Sequence, residues 1–435
     1  MTILTYAHLA DIHLGSFRDK KMRSLQVEQF NKAIETILDV KYDFVLISGD
    51  IFNVANPPLE YVELVISKLK ELHRANIPVF VIGGSHDYSL THKSFIQLLD
   101  SAGIWRDVGN WRSVDGKTIE LIPTTIQVKG IEVSICGVLG RKNGLDSKLY
   151  TKISNSITPN SQTQKYSIFM FHSTITELLP SRLQKSPIQA YSKTILPQGF
   201  NYYAGGHIHY PNSIPVGNDG LAAYSGPIFP NSFTEFKDGF SGFNEITYNS
   251  QTQTQTLTYI PLPMRTITPL IVDCEHLHHG DIDVLIEKTI QGTFTKDSLL
   301  IQDAIILFEL FGTILSSTSA IQISKHISTL YELGAYCVLK NTQKLHSKKF
   351  EQQTQKHKFS TVQELEEKVT SNYLKEKISQ ETQLENKTFD EKIKQNIISS
   401  ILSLDTKKNE EETNYHFEER IISMMKKTIQ EELKN

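Results

Sequence analysis

Five apolar runs in the first half of the chain end in residues able to bind a cation or carry a proton. In order the ends are Ala10-Asp11-Ile12-His13, Gly49-Asp50, Gly84-Ser85-His86-Asp87, Phe171-His172 and Gly206-His207-Ile208-His209. In an extended chain residues i and i+2 project to the same side, so Asp11 with His13, and His207 with His209, form two-pronged clamps. Glycine beside them lets the backbone turn sharply close to a ligand. Imidazole and carboxylate donors without thiolate suit borderline-to-hard divalent ions such as manganese, iron or zinc, rather than calcium or copper(I). Each piece alone has an ordinary explanation, since Asp at a strand end often caps a turn and Gly-Asp is often just a turn. Five such ends in succession point to one metal site.

For these ends to meet, the runs that carry them must be strands of a layered fold. Residues 3–10, 43–50, 77–84, 131–138, 166–172 and 200–209 read as buried strands. Between the first three, residues 30–40 and 59–75 carry apolar side chains at spacings of three and four and read as amphipathic helices. Strand-helix alternation predicts an α/β fold, in which ligands collect at the carboxyl ends of the strands. From about 210 to 262 Gly, Pro, Asn and Ser-rich turns with short strands predict an antiparallel edge sheet. Residues 265–343 then alternate strand, helix, strand, helix, strand, which predicts a small α+β domain.

The 435 residues exceed what one core of ordinary size needs, so two or three domains are expected. We divide them into 1–264, 265–343 and 344–435. The last segment is strongly charged but keeps three apolar stripes at helical spacing: Val362, Leu365 and Val369; Phe389, Ile393 and Ile397; Phe417, Ile421, Met425 and Ile429. Helices docking on a partner explain them; a disordered charged tail is the alternative.

The net charge is −3 and the pI about 6.6, so bulk charge does not signal a nucleic-acid partner and any anion binding must be local. Cys136, Cys274 and Cys337 lack CxxC spacing and are odd in number, which argues for buried small hydrophobes rather than disulfides or a zinc site. No apolar run is long enough to span a bilayer and the first fifteen residues lack a signal-peptide pattern, so no membrane and a cytoplasmic location are expected. His8 reads as a core residue, and the His276, His278 and His279 cluster as a solvated loop.

The set DIHLG, GDIFN, GSHD, FMFH and GGHIH resembles the calcineurin-like metallophosphoesterases. HLADIHLG with SGDIFNVANPP is similar, more closely, to the SbcD and meiotic recombination eleven branch of DNA double-strand-break repair nucleases. The resemblance covers about the first 240 residues, and the remainder only by layout. It implies a two-sheet sandwich flanked by helices, a small cap domain that positions DNA, and a helical tail. It also implies one ion held by Asp11, His13 and His209, a second by His172 and His207, and Asp50 bridging both. Manganese is the ion expected, and two divalent ions against two carboxylates leave the pocket net positive, which draws in phosphate.

His86 then corresponds to a phosphate-contacting general acid, with Asp87 as its orienting carboxylate. Ser85 stands where the family usually has an asparagine ligand, a shorter and poorer donor. Asn53 stands where close relatives carry a second histidine; it can donate a hydrogen bond to substrate but not transfer a proton. Arg18, Lys20, Lys21 and Arg23 either flank the substrate path or form a solvated basic loop. The resemblance further implies an SMC-like ABC ATPase of the SbcC type, bound by its coiled coil to the C-terminal helices. It implies homodimerisation too, through Leu64, Ile66 and Leu69 and through Phe95, Leu98 and Leu99. The function expected is a DNA nuclease with 3′ to 5′ exonuclease and single-strand endonuclease activity in DNA repair. The alternatives are a catalytically weakened structural subunit and a phosphatase or cyclic-nucleotide phosphodiesterase.

Overall fold

The computed structural model describes residues 2–88, 94–141, 147–153, 165–184, 188–295 and 298–348. The three tail stripes lie outside the described residues.

Two six-stranded sheets stack face to face. The first contains β1 (Ile3–Leu9), β2 (Val45–Ser48), β3 (Val79–Ile82), β4 (Arg106–Asp107), β13 (Gly242–Asn249) and β14 (Thr254–Pro261), in the order β14-β13-β1-β2-β3-β4. The second contains β7 (Thr124–Val128), β8 (Ile131–Val138), β9 (Lys165–His172), β10 (Tyr202–Gly206), β11 (Asn212–Val216) and β12 (Gly220–Tyr224), in the order β11-β12-β10-β9-β8-β7. A small hairpin, β5 (Trp111–Ser113) with β6 (Ile119–Leu121), stands apart. Strands β1 to β4 run parallel, as do β8, β9, β10 and β12.

The unbroken apolar runs are explained by burial on both faces. Along the first three strands Ala7, Leu9, Val45, Ile47, Val79 and Val81 face a helical layer, while Leu4, Tyr6, Phe44, Leu46, Phe80 and Ile82 face the second sheet. That helical layer is α1 (Lys20–Val40) and α2 (Leu59–Arg74), each the crossover between parallel strands. Helix α1 begins ten residues before the periodic stretch read from the sequence, because Asp19 caps it by accepting from the Met22 N–H at 2.9 Å. Helix α2 starts after Pro57-Pro58, where a missing N–H costs nothing. Short helices α3 (Phe95–Ser101), α4 (Ser147–Tyr150) and α5 (Phe233–Asp238) complete this part.

Residues 210–262 do not form one edge sheet. β11 and β12 close the second sheet, whereas β13 and β14 cross over to pair antiparallel beside β1.

The C-terminal sheet holds β15 (Ile267–Asp273), β16 (Ile305–Ile314), β17 (Cys337–Asn341) and β18 (Leu345–Ser347), with α6 (His279–Thr293) and α7 (Ile323–Glu332) as crossovers. All its pairings are parallel. The strand expected from residue 299 starts at Ile305, and β18 falls beyond the boundary drawn at 343. One face packs under α6 and α7, the other against α1 and α5 through Met22, Leu25, Phe236, Ile305, Leu307 and Cys337. All three cysteines are buried and free, and His276, His278 and His279 are exposed. Among the described residues no helix is long and apolar enough to cross a membrane.

Candidate metal centre

The carboxyl ends of β1, β2, β3, β9 and β10 converge at one edge of the sandwich. The loops after β1 and β2 run side by side: the N–H groups of Asp11, His13 and Leu14 donate to the carbonyls of Gly49, Asp50 and Ile51 at 3.1, 2.9 and 3.0 Å. Asp11, His13, Asp50 and His207 all have positive φ, at 53°, 48°, 52° and 94°. Side-chain-bearing residues adopt this region at a cost, which marks the loops as over-determined by their surroundings. At Gly49, φ of +88° meets a further demand, since any Cβ there would strike the His172 ring.

Among the described residues three groups each bring their donor atoms within 4.8 Å of one another: Asp11, His13 and His209; Asp50, His172 and His207; and His13, Asp50 and His86. Asp50 sits at the centre. Its Oδ1 accepts the backbone N–H of His86 at 2.8 Å, and its Oδ2 lies 3.2 Å from His172 Nε2, 3.6 Å from His13 Nε2 and 3.4 Å from the donating Ser85 hydroxyl. Asp11 accepts the His207 backbone N–H on both oxygens, at 3.0 and 3.1 Å, and approaches His209 Nε2 at 3.7 Å.

The ring tautomers follow from their acceptors. His172 Nδ1 is 2.8 Å from the Ser48 carbonyl, His86 Nδ1 2.7 Å from the Asn53 carbonyl, and His209 Nδ1 2.9 Å from Glu235 Oε2. Those oxygens only accept, so each Nδ1 carries the hydrogen and each neutral ring keeps its lone pair on Nε2. His172 Nε2 is buried without a hydrogen-bond partner, although Asp50 is near. His13 Nε2 and His209 Nε2 face each other at 3.1 Å. Lone pairs turned inward among carboxylates are the donor set a divalent cation of the manganese, iron or zinc type fits.

Without a cation the charges must balance by protons. Burial works against a charged His172, but Asp50 and then Asp11 outweigh it and push the imidazole up to about 10. Burial likewise opposes charge on His209, yet Asp11 and Glu235 push it up to about 9. His13 goes the other way, to about 3, through burial and the neighbouring His209. Burial raises Asp50 too, but His172 wins and holds the carboxyl well below its ordinary range.

Three expectations are corrected. Asp87 does not orient His86: its buried carboxylate accepts the N–H groups of Ile51, Phe52 and Gly84 at 3.3, 3.1 and 2.8 Å, while the Asn53 carbonyl holds the imidazole. Burial and the Asp50 charge push Asp87 up to about 6. Lys21 is committed to the C-terminal sheet, donating to the Tyr336 carbonyl at 2.7 Å beside the Tyr331 and Tyr336 rings. Leu69 and Leu99 are core residues, whereas Leu64, Ile66 and Phe95 are half-buried and Leu98 is exposed. Arg18 and Lys20 are exposed and Arg23 half-buried. His8 is core as expected, with Nδ1 2.9 Å from the Tyr202 hydroxyl.

Sequence reasoning missed Glu235 and Gln26. Glu235 follows the capping residue Ser232 by three, a pattern that announces a helix start but not a contact with His209. Gln26, fully buried in α1, donates to the His13 carbonyl at 2.8 Å and accepts the Gly15 N–H at 2.9 Å. Its only signal is a polar residue on an apolar helix face.

Residues 4–211, which carry every one of the converging strand ends, match the family described as calcineurin-like phosphoesterase. The curated proteins it is similar to are named DNA double-strand break repair protein Mre11. That of Methanocaldococcus jannaschii is 30% identical over 254 residues, 57% of this chain and 63% of the relative. That of Methanococcus maripaludis is 29% identical over 241 residues, 54% and 60% of the two chains. That of Archaeoglobus fulgidus is 32% identical over 235 residues, 52% and 50%. The chain thus spans between half and 63% of the length of these relatives.

Proposed function

We propose that the chain is a dinuclear-metal DNA nuclease that trims ends in double-strand-break repair, with 3′ to 5′ exonuclease and single-strand endonuclease activity. One observation carries this reading: the Asp50 carboxylate stands between a group containing Asp11, His13 and His209 and a group containing His172 and His207. The names of the relatives support DNA as substrate.

In this reading two divalent ions, most simply manganese, supply Lewis acidity at the phosphodiester. The protein does the rest. Asp11, His13 and His209 hold one ion, His172 and His207 the other, and Asp50 both; the Ser85 hydroxyl is a weak further donor. His86, pinned through Nδ1 by the Asn53 carbonyl, keeps Nε2 for the leaving oxygen. Asn53, Arg18, Lys20 and the half-buried Arg23 flank the approach of the strand in this reading.

The domain plan follows the same reading: nuclease over 1–264, a DNA-positioning cap over 265–343, and from 344 a segment that grips the coiled coil of an SMC-like ABC ATPase. The half-buried Leu64, Ile66 and Phe95, with exposed Leu98, supply a homodimer contact.

The test is a manganese titration with end-labelled DNA, comparing wild type, Ser85→Asn and His86→Ala. Manganese-dependent cleavage is expected, at lower manganese concentration in Ser85→Asn and roughly 10²- to 10⁴-fold slower in His86→Ala. Wild type inactive but Ser85→Asn active would make the chain a weakened structural subunit instead. Cleavage of a mononucleotide ester but not of DNA would make it a small-molecule hydrolase. Removing residues 355–435 should spare cleavage of simple DNA and abolish ATPase binding; unchanged co-purification would refute that part.

A further inference from the structure

Three consecutive side chains of α5 reach three different places. Glu235 Oε2 accepts from His209 Nδ1 at 2.9 Å. Phe236 is buried in the joint between α1 and the C-terminal sheet, with Met22, Ile305 and Leu307. Lys237 forms an ion pair with Glu309 of β16, whose side chain is only 5% exposed. Asn231, just before the helix, completes the frame. Its backbone N–H donates to Glu235 Oε2 at 2.9 Å, and its side-chain oxygen accepts from the Ser16 hydroxyl at 2.8 Å and from Gln26 at 3.3 Å. Gln26 in turn holds the His13 carbonyl. The His209 imidazole is therefore tied to one six-residue helix, the His13 backbone is tied through Gln26 to Asn231 at the start of that helix, and the helix is tied to the C-terminal sheet.

So short a helix has little stability of its own and takes its position from what it packs against. We infer that Glu235 is a positioning residue for the cation held by His13 and His209, and that the Lys237–Glu309 ion pair makes the hold on that cation depend on how the C-terminal sheet is seated. This rests on the two-metal reading. A carboxylate on the far nitrogen of a ligating imidazole fixes the ring and raises its basicity, and losing it costs roughly 10- to 100-fold in metal affinity. Lys237 acts one step further away. The buried Glu309 carboxylate also lies near Lys344, at 3.7 Å, and the Asn341 amide, at 3.5 Å, so removing Lys237 leaves it partly compensated and the fold intact.

The experiment is manganese binding to the full chain, followed by calorimetry and by the spin resonance of free manganese, with thermal unfolding alongside. Wild type should take up two ions. Glu235→Gln should weaken one of them by roughly 10- to 100-fold and leave the other within about twofold. Lys237→Met and Glu309→Gln should weaken that same ion by roughly 3- to 10-fold, and the Glu235→Gln/Lys237→Met double variant should bind no worse than Glu235→Gln alone. Wild-type affinity in Lys237→Met, with only the melting temperature lowered, would overturn the link and leave the ion pair a purely structural contact. Unchanged affinity in Glu235→Gln would overturn the positioning role. A wild-type chain that takes up no manganese would instead bring down the two-metal reading and this inference together. Should Glu309→Gln fail to fold, Lys237→Met carries the test.

Discussion

The Nε2 atoms of His13 and His209 lie 3.1 Å apart although 196 residues separate them in the chain. His209 donates through Nδ1 to Glu235, so its neutral ring turns a lone pair toward His13. Two ring nitrogens approach this closely only around a shared proton or a cation.

The two carboxylates should differ in reach. Asp11 contacts the His209 side of the centre, whereas Asp50 approaches both His13 and His172. Asp11→Asn is expected to weaken one of two manganese ions more than about tenfold, and Asp50→Asn both. A spin-resonance titration reads this directly; loss of a single ion in Asp50→Asn would deny it the bridging position.

His86 lies near enough to His13 and Asp50 to be counted among possible ligands, so its role needs separating from theirs. As a proton donor, His86→Ala should lower kcat by roughly 10²- to 10⁴-fold while manganese uptake stays within about twofold. Were uptake to fall with activity, His86 would be a ligand instead.

Asp87 is a structural tie. Its carboxylate collects three backbone N–H groups from the loops that carry Asp50 and His86. Asp87→Ala should cost about 1 to 3 kcal/mol in urea unfolding, because buried donors are left unmet. The pH profile of kcat should not move; a shifted limb would restore Asp87 as the orienting partner of His86.

Metal-free protein should lose stability on the alkaline side. His172 and His209 are raised to about 10 and about 9, against an ordinary histidine near 6.5 in the unfolded chain. Between those values the folded state holds protons that the unfolded state has released. Their contribution is therefore complete below about pH 6.5 and is lost as pH rises to 9 and 10. His8, His13 and His207 are held down to about 3, 3 and 4 and are neutral in both states only above about pH 7.5, beyond which they add no slope. In EDTA the melting temperature should fall from about pH 7.5 to 10, and manganese, which replaces those protons, should flatten the fall. A level EDTA profile across that window would contradict the charge balance described for the centre.

Much of the centre was legible in the sequence because donor type and strand-end position are local properties. Asp11-x-His13 and His207-x-His209, each at the end of an apolar run, announce themselves whatever the rest of the chain does. The doubly buried strands and both crossover helices were legible for the same reason, since hydrophobic period reports burial directly. What sets each donor's direction is not local. His172 and His86 are oriented by carbonyls of Ser48 and Asn53, and every residue type offers a carbonyl, so no side chain marks the contact. His209 is oriented by Glu235, whose capping pattern explains it fully without the metal centre. Asp87 looked like an imidazole partner because it is next in sequence, yet the turn sends its carboxylate back onto three N–H groups. Likewise the turn-rich stretch after 210 gave no hint that half its strands would cross to the other sheet, because strand pairing is chosen by edges available in three dimensions. Residue chemistry and burial period were written along the chain; hydrogen-bond direction, charge state and the tie between the C-terminal sheet and His209 arose only when distant segments were packed together.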